Sequence, residues 1–170
     1  MTNINIILLI TAILTALMAG LFFSYSFSVV LGLGRLDNFE YINAMQSINR
    51  EIKNPIFFIV FFGTLLLLPI TSFLHYQQTF STKFLFILAS TIFYVIGVFG
   101  VTVLGNIPLN EKLDKFNLQS SSSEIIKTER DNFEYRWNKL NLIRTISSTI
   151  SIILIISACI FSDNKINALD

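Results

Sequence analysis

In the last third of the sequence Trp137, Asn141, Arg144 and Ser148 recur at helical spacing, which puts them on one face with Asn138 and Thr145 beside them. Thr102, Asn106 and Asn110 repeat a four-residue spacing earlier in the chain, and Gln46 and Asn49 form a third polar group. A guanidinium, carboxamides, hydroxyls and an indole donate and accept hydrogen bonds, so the chemistry open to them is recognition within one polar pocket. An arginine facing lipid costs about 2.5 to 3.5 kcal/mol near the bilayer centre, so Arg144 is expected to turn inward. Its candidate acceptors are Asn106, Asn110, Asn141 and a carboxylate such as Glu111 or Glu134. Plainer roles fit the same residues. Arg144 could reach headgroup phosphates while the asparagines join helices, and Trp137 could anchor the chain at the membrane interface instead of stacking on a substrate.

The elements that must position these groups are set by composition. Of 170 residues, 53% are hydrophobic and only 14% are charged, too little polar surface for a soluble domain. Four apolar runs reach the roughly 20 residues that cross a bilayer. They predict an all-α, four-transmembrane-helix bundle, residues 1–170 forming a single integral membrane domain with spans at about 4–31, 55–74, 84–105 and 142–161. The first run lacks the basic start of a secretory leader and reads as a retained span. Cys159 is the single cysteine and His75 the single histidine, so within one chain neither a thiol pair nor a histidine metal site can form. No metal ligand set is expected.

Charge sets the expected orientation. Arg35, Arg50 and Lys53 follow the first run; Lys112, Lys115, Lys127, Arg130, Arg136, Lys139 and Arg144 lie between the third and fourth. Only Lys83 and Lys165 fall on the other side, so both long loops are expected in the cytoplasm and both termini outside, in a bacterial cytoplasmic membrane. Glu111, Asp114, Glu124, Glu129, Asp131 and Glu134 offset the basic loop, which argues against a nucleic-acid partner. The expected partner is the lipid bilayer, and the oligomeric state stays open.

Local signals add detail. Ala12, Ala16, Gly20, Ser24, Ser28 and Gly32 recur every fourth residue, a small-residue ridge suited to close packing on a neighbouring helix. Asp37 and Glu40 have capping-box spacing ahead of an amphipathic helix carrying Phe39, Ile42, Met45, Ile48 and Ile52 in the first loop. Asn54–Pro55 should open the second span, Pro69 should kink it, and Pro108 should end the third, which Gly97, Gly100 and Gly105 loosen. Ser121 and Glu124 have the spacing to start a last helix of about 38 residues. At ~1.5 Å per residue that is a rod of roughly 57 Å, long enough to extend into the cytoplasm.

Three segments, AMQSINREIKNPIF (44–57), VTVLGNIPLNEKL (101–113) and WNKLNLIRT (137–145), resemble in order and placement the motifs of the anthrone oxygenase-like proteins. The resemblance extends over nearly the whole chain and implies a small four-span membrane protein, most of whose bacterial relatives have no assigned function. By carry-over its recurrent positions are Asn49, Thr102, Asn106, Pro108, Asn110, Trp137, Asn141, Arg144 and Thr145. Fungal relatives oxidise anthrones to anthraquinones with dioxygen and no evident cofactor. The resemblance therefore implies a lipophilic aromatic substrate, Arg144 with Asn141 or Asn106 holding an anionic oxygen, and Trp137 stacking on the rings. Asn49, Thr102, Asn110 and Thr145 would complete the substrate contacts. With no histidine near, Glu111, Glu134 or water would act as base. A non-catalytic protein that binds lipid or a partner subunit is the other reading.

Overall fold

Capping side chains and apolar length define five helices in the computed structural model, which describes residues 3–76 and 81–161. They are α1 (Asn3–Leu33), α2 (Asn38–Glu51), α3 (Pro55–His75), α4 (Thr82–Asp114) and α5 (Ser123–Ile160). All but α2 are long and apolar enough to cross a membrane. Every regular element among the described residues is helical, and the chain is a multi-pass membrane protein. Residues 77–80, between α3 and α4, and Lys165 lie outside the described residues.

The starts of α2, α3 and α5 have local causes. The Asp37 carboxylate accepts from Glu40 N at 2.8 Å to open α2. Asn54 does the same for Phe57 N at 3.0 Å, and Pro55, whose missing N–H costs nothing in a first turn, begins α3. The α5 cap is one residue later than its spacing suggested. Ser122 accepts from Ile125 N at 3.5 Å, while the Ser121 hydroxyl is drawn back to donate to Asn117 O at 2.7 Å.

Helix α1 contains one wide π turn (Tyr25–Val29) and α4 contains two (Val95–Gly100 and Thr102–Asn106). They correct the expectation that Pro108 ends the third span. The helix continues to Asp114, since Pro108 stands in the first α-turn after a π segment, where it displaces no regular hydrogen bond. Helix α3 runs through Pro69 to His75.

The four long helices form a square in which α1 and α4 each pack against both α3 and α5. Leu8, Met18, Phe22, Phe61, Leu68, Ile87, Tyr94, Val98 and Ile155 fill its centre. Lipid offers no competing hydrogen bonds, so hydroxyl pairs join the helices: Thr11 to Thr71 at 2.8 Å, and Ser90 to Ser151 at 2.8 Å with each hydroxyl also reaching the other's carbonyl. Gly97 lets α4 approach α5 so closely that a Cβ there would overlap the Ser147 side chain.

The small-residue ridge of α1 does not make such a contact within the chain. Ala16, Gly20, Ser24, Ser28 and Gly32 are exposed, and nothing lies within 4 Å of a Cβ added at Gly20 or Gly32. Helix α1 buries Leu8, Thr11, Thr15, Met18, Ala19 and Phe22 instead. The Thr11 and Thr15 hydroxyls return to carbonyls of their own helix, so that face enters the core without unpaired polar atoms.

A second core caps one end of the square. Tyr41, Ile42 and Met45 of α2 pack with Leu113, Leu118, Ile126, Phe133 and Trp137. Arg130 pins this cap by donating to Gly34 O, Leu36 O and Asn38 Oδ1 at 2.8–3.2 Å, while pairing with Glu134 at 2.7 Å and lying over the Tyr41 ring. It thereby satisfies carbonyls left open where α1 ends.

Candidate functional site

Where the cap meets the bundle, a cavity of about 400 Å³ opens among α1, α2, α3, α4 and α5. Its apolar wall is mostly aromatic: Phe22, Tyr25, Phe57, Phe58, Phe61, Phe62 and Phe99. Phe57 and Phe61 stack at 5.3 Å, and Phe99 leans on Phe61 at 5.8 Å. Asn49, Thr102, Asn106, Asn110, Trp137, Asn141 and Arg144 supply the polar part, with Lys53 and Glu111 also on the lining. Sequence reasoning missed the phenylalanines, although the pairs at 57–58 and 61–62 already lie four residues apart on α3.

Arg144 organises the polar part. Its side chain is buried, Nη2 donates to Asn141 Oδ1 at 2.7 Å, and Nη1 reaches Thr102 Oγ1 at 3.5 Å. The guanidinium carbon lies 4.6 Å from the Phe22 ring centre and 5.4 Å from that of Trp137. None of the ion pairs among the described residues includes Arg144. The expected carboxylate partners are placed elsewhere: Glu134 is held by Arg130, and Glu111 is exposed on the cavity lining.

The remaining candidates divide by role. Trp137 donates Nε1–H to Asn110 Oδ1 at 2.7 Å and packs on Tyr25 at 5.0 Å, so its ring is fixed from two sides. Asn141 Nδ2 donates to Ser26 Oγ at 2.7 Å. Thr145 stands behind the cavity, bonded to Ser26 Oγ, Phe22 O and Asn141 O, and joins α5 to α1 instead of lining the site. Gln46, grouped with Asn49 on sequence, turns away to bind Leu113 O and Phe116 O at the end of α4.

Four polar atoms here are buried with no hydrogen-bond partner among the described residues: Asn49 Nδ2, both side-chain polar atoms of Asn106, and Arg144 Nε. Each such atom costs about 1–3 kcal/mol. A knot of asparagines serving only to join helices would pair them. Buried donors around a guanidinium, beside an aromatic slot, are suited to an oxygen that carries or develops negative charge, because a low dielectric strengthens that attraction. Among the described residues no three His, Cys, Asp or Glu side chains are grouped to hold a metal ion.

Fold and site together define a four-helix membrane protein with a cation-floored aromatic cavity at one end of the bundle. The family described as anthrone oxygenase matches residues 57–154, more than half of the chain, and the chain belongs to that family. That stretch carries most of α3, all of α4 and most of α5, and with them Phe57, Phe58, Phe61, Phe62 and Phe99 of the wall, Asn106, Trp137 and Arg144. No curated protein and no solved structure matches the chain.

Proposed function

We propose that the protein is a cofactor-independent oxygenase that converts a lipophilic aromatic ketone of the anthrone type to the quinone. Loss of a benzylic proton gives a carbanion whose charge is delocalised onto the ketone oxygen. Arg144, positioned by Asn141, stabilises that oxygen, with Asn106 as a second donor. The carbanion passes electrons to dioxygen directly. The carbon bearing two hydrogens becomes a carbonyl, one oxygen atom is retained, and the other leaves as water with both hydrogens. Glu111, the carboxylate on the cavity lining, is the proton acceptor. The rings lie between the phenylalanines and Trp137.

The observation that carries this reading is a buried guanidinium with no ion-pair partner, facing a cavity large enough for a drug-sized molecule. The same observation disfavours a purely structural role in which the polar residues only join helices. In the assay, detergent-purified protein is incubated with an anthrone in air and quinone is followed by absorbance. Wild type should exceed the spontaneous rate, and Arg144→Ala should lose about 10²-fold or more of the excess. Wild-type quinone formation at the spontaneous rate would remove the oxygenase reading.

We also read the capped end, with α2 and the start of α5, as cytoplasmic in a bacterial cytoplasmic membrane. The support is that ten of the 12 basic residues lie at that end.

A further inference from the structure

We propose that the cavity takes its ligand sideways from the bilayer, through a gap between α3 and α4, and that the ligand is a membrane-dissolved aromatic whose oxygenated end enters first. This rests on the reading of the cavity as a substrate site. Backbone packing between α3 and α4 is concentrated along Thr82–Tyr94 and thins beyond Val95, where α4 changes to π turns and side chains carry the contact. The Phe99 ring bridges the gap, 5.8 Å from Phe61 and 6.4 Å from Phe62. Four cavity-lining residues on these two helices are also exposed: Phe58 at 41%, Phe62 at 44%, Val103 at 39% and Ile107 at 40%. Side chains at the rim of an opening between α3 and α4 would have this double placement.

The polarity of the lining gives the orientation. Along Phe58, Phe62, Val103 and Ile107 the rim is apolar side chain, which a charged molecule would have to cross unsolvated, whereas the exposed Lys53 and Glu111 form the charged part of the lining. The unpaired atoms of Asn106 and Arg144 lie deep, with Asn106 1% exposed and Arg144 7% exposed. A flat molecule with a ketone, phenol or enol oxygen at one end satisfies both regions at once. Its rings replace lipid contacts at the rim and its oxygen pairs the buried donors.

Trp137 is the single tryptophan and lines the cavity, so its fluorescence reports what enters. In vesicles whose acyl chains are brominated near the headgroup, wild-type Trp137 should be quenched. Iodide in the water should quench it little. Val103→Phe, which narrows the gap, should reduce quenching by the brominated chains and slow the capture of a dihydroxyanthraquinone by about tenfold. Ile107→Phe serves the same purpose should Val103→Phe not fold. A sulfonated anthraquinone confined to water should not reach Trp137.

Quenching by iodide but not by brominated chains, or capture of the sulfonated probe as fast as the lipophilic one, would overturn the proposal. So would equal capture rates in wild type and a folded narrowed variant. Capture of the dihydroxyanthraquinone by the expected route without anthrone oxidation would leave the lateral entry standing and remove the oxygenase reading alone. Anthrone oxidation unaffected by narrowing would do the reverse.

Discussion

At the scale of single residues, Asn106 separates recognition from scaffolding. Both of its side-chain polar atoms are buried without partners among the described residues, so a leucine, which has the same branching and heavy-atom count and no polar group, should remove that penalty. Asn106→Leu is expected to stabilise the protein by about 1 kcal/mol, a rise of about 2–4 °C in unfolding midpoint in detergent, while weakening dihydroxyanthraquinone binding. A fall in midpoint would make Asn106 a structural staple. Tyr41 provides a pH signature outside the spans. Burial, then Glu134 and Tyr25, push its phenol above the ordinary value of 10.0, against a lowering pull from Arg130. A raised folded pKa means the folded state holds this proton more tightly. The stability so gained is complete below pH 10 and is lost as pH climbs above it. Tyr41→Phe should therefore show a shallower loss of stability than wild type above pH 10, measured by chemical unfolding across that range.

At the scale of elements, the closest approach in the bundle is also its most sensitive. Gly97→Ala should push α4 away from Ser147 and destabilise by about 1–3 kcal/mol, and adding Ser147→Gly should restore most of the loss in a double-mutant cycle. The elements themselves were largely legible. The four apolar runs each fall within a long helix, and the Asp37 cap and the Asn54–Pro55 start, which depend on nearest neighbours in sequence, stand where the residues put them. Most of the polar set was legible as well, because Asn49, Thr102, Asn106, Asn110, Trp137, Asn141 and Arg144 all line one cavity. What sequence could not give depends on contacts made only after folding. An exposed small-residue ridge and a packed one look identical in sequence. Gln46 and Asn49 differ only in which helix end lies within reach, and the wall phenylalanines look like the lipid-facing ones. Pro108 ends a helix only if the preceding turn is regular, and here that turn is wide.

At the scale of the whole molecule, the long helix α5 joins two cores, the membrane bundle and the cap over its end. Sidedness is testable by labelling. In a Cys159→Ser background, Ser120→Cys should react with a membrane-impermeant maleimide only after permeabilisation, and Thr82→Cys should react in intact cells. The opposite pattern would invert the orientation, leaving the cavity at the outer face.

The wide turns carry one more consequence. A π turn is how an α-helix accommodates a surplus residue while the segments on either side keep their rotational phase. Removing Ser28, which is exposed within the Tyr25–Val29 turn, should convert that turn to ordinary helix and leave α1 seated. Removing Ala16 from the regular part should rotate everything on one side of it by about 100° and prevent assembly. The length of α1 is thus negotiable at one place only, beside the cavity.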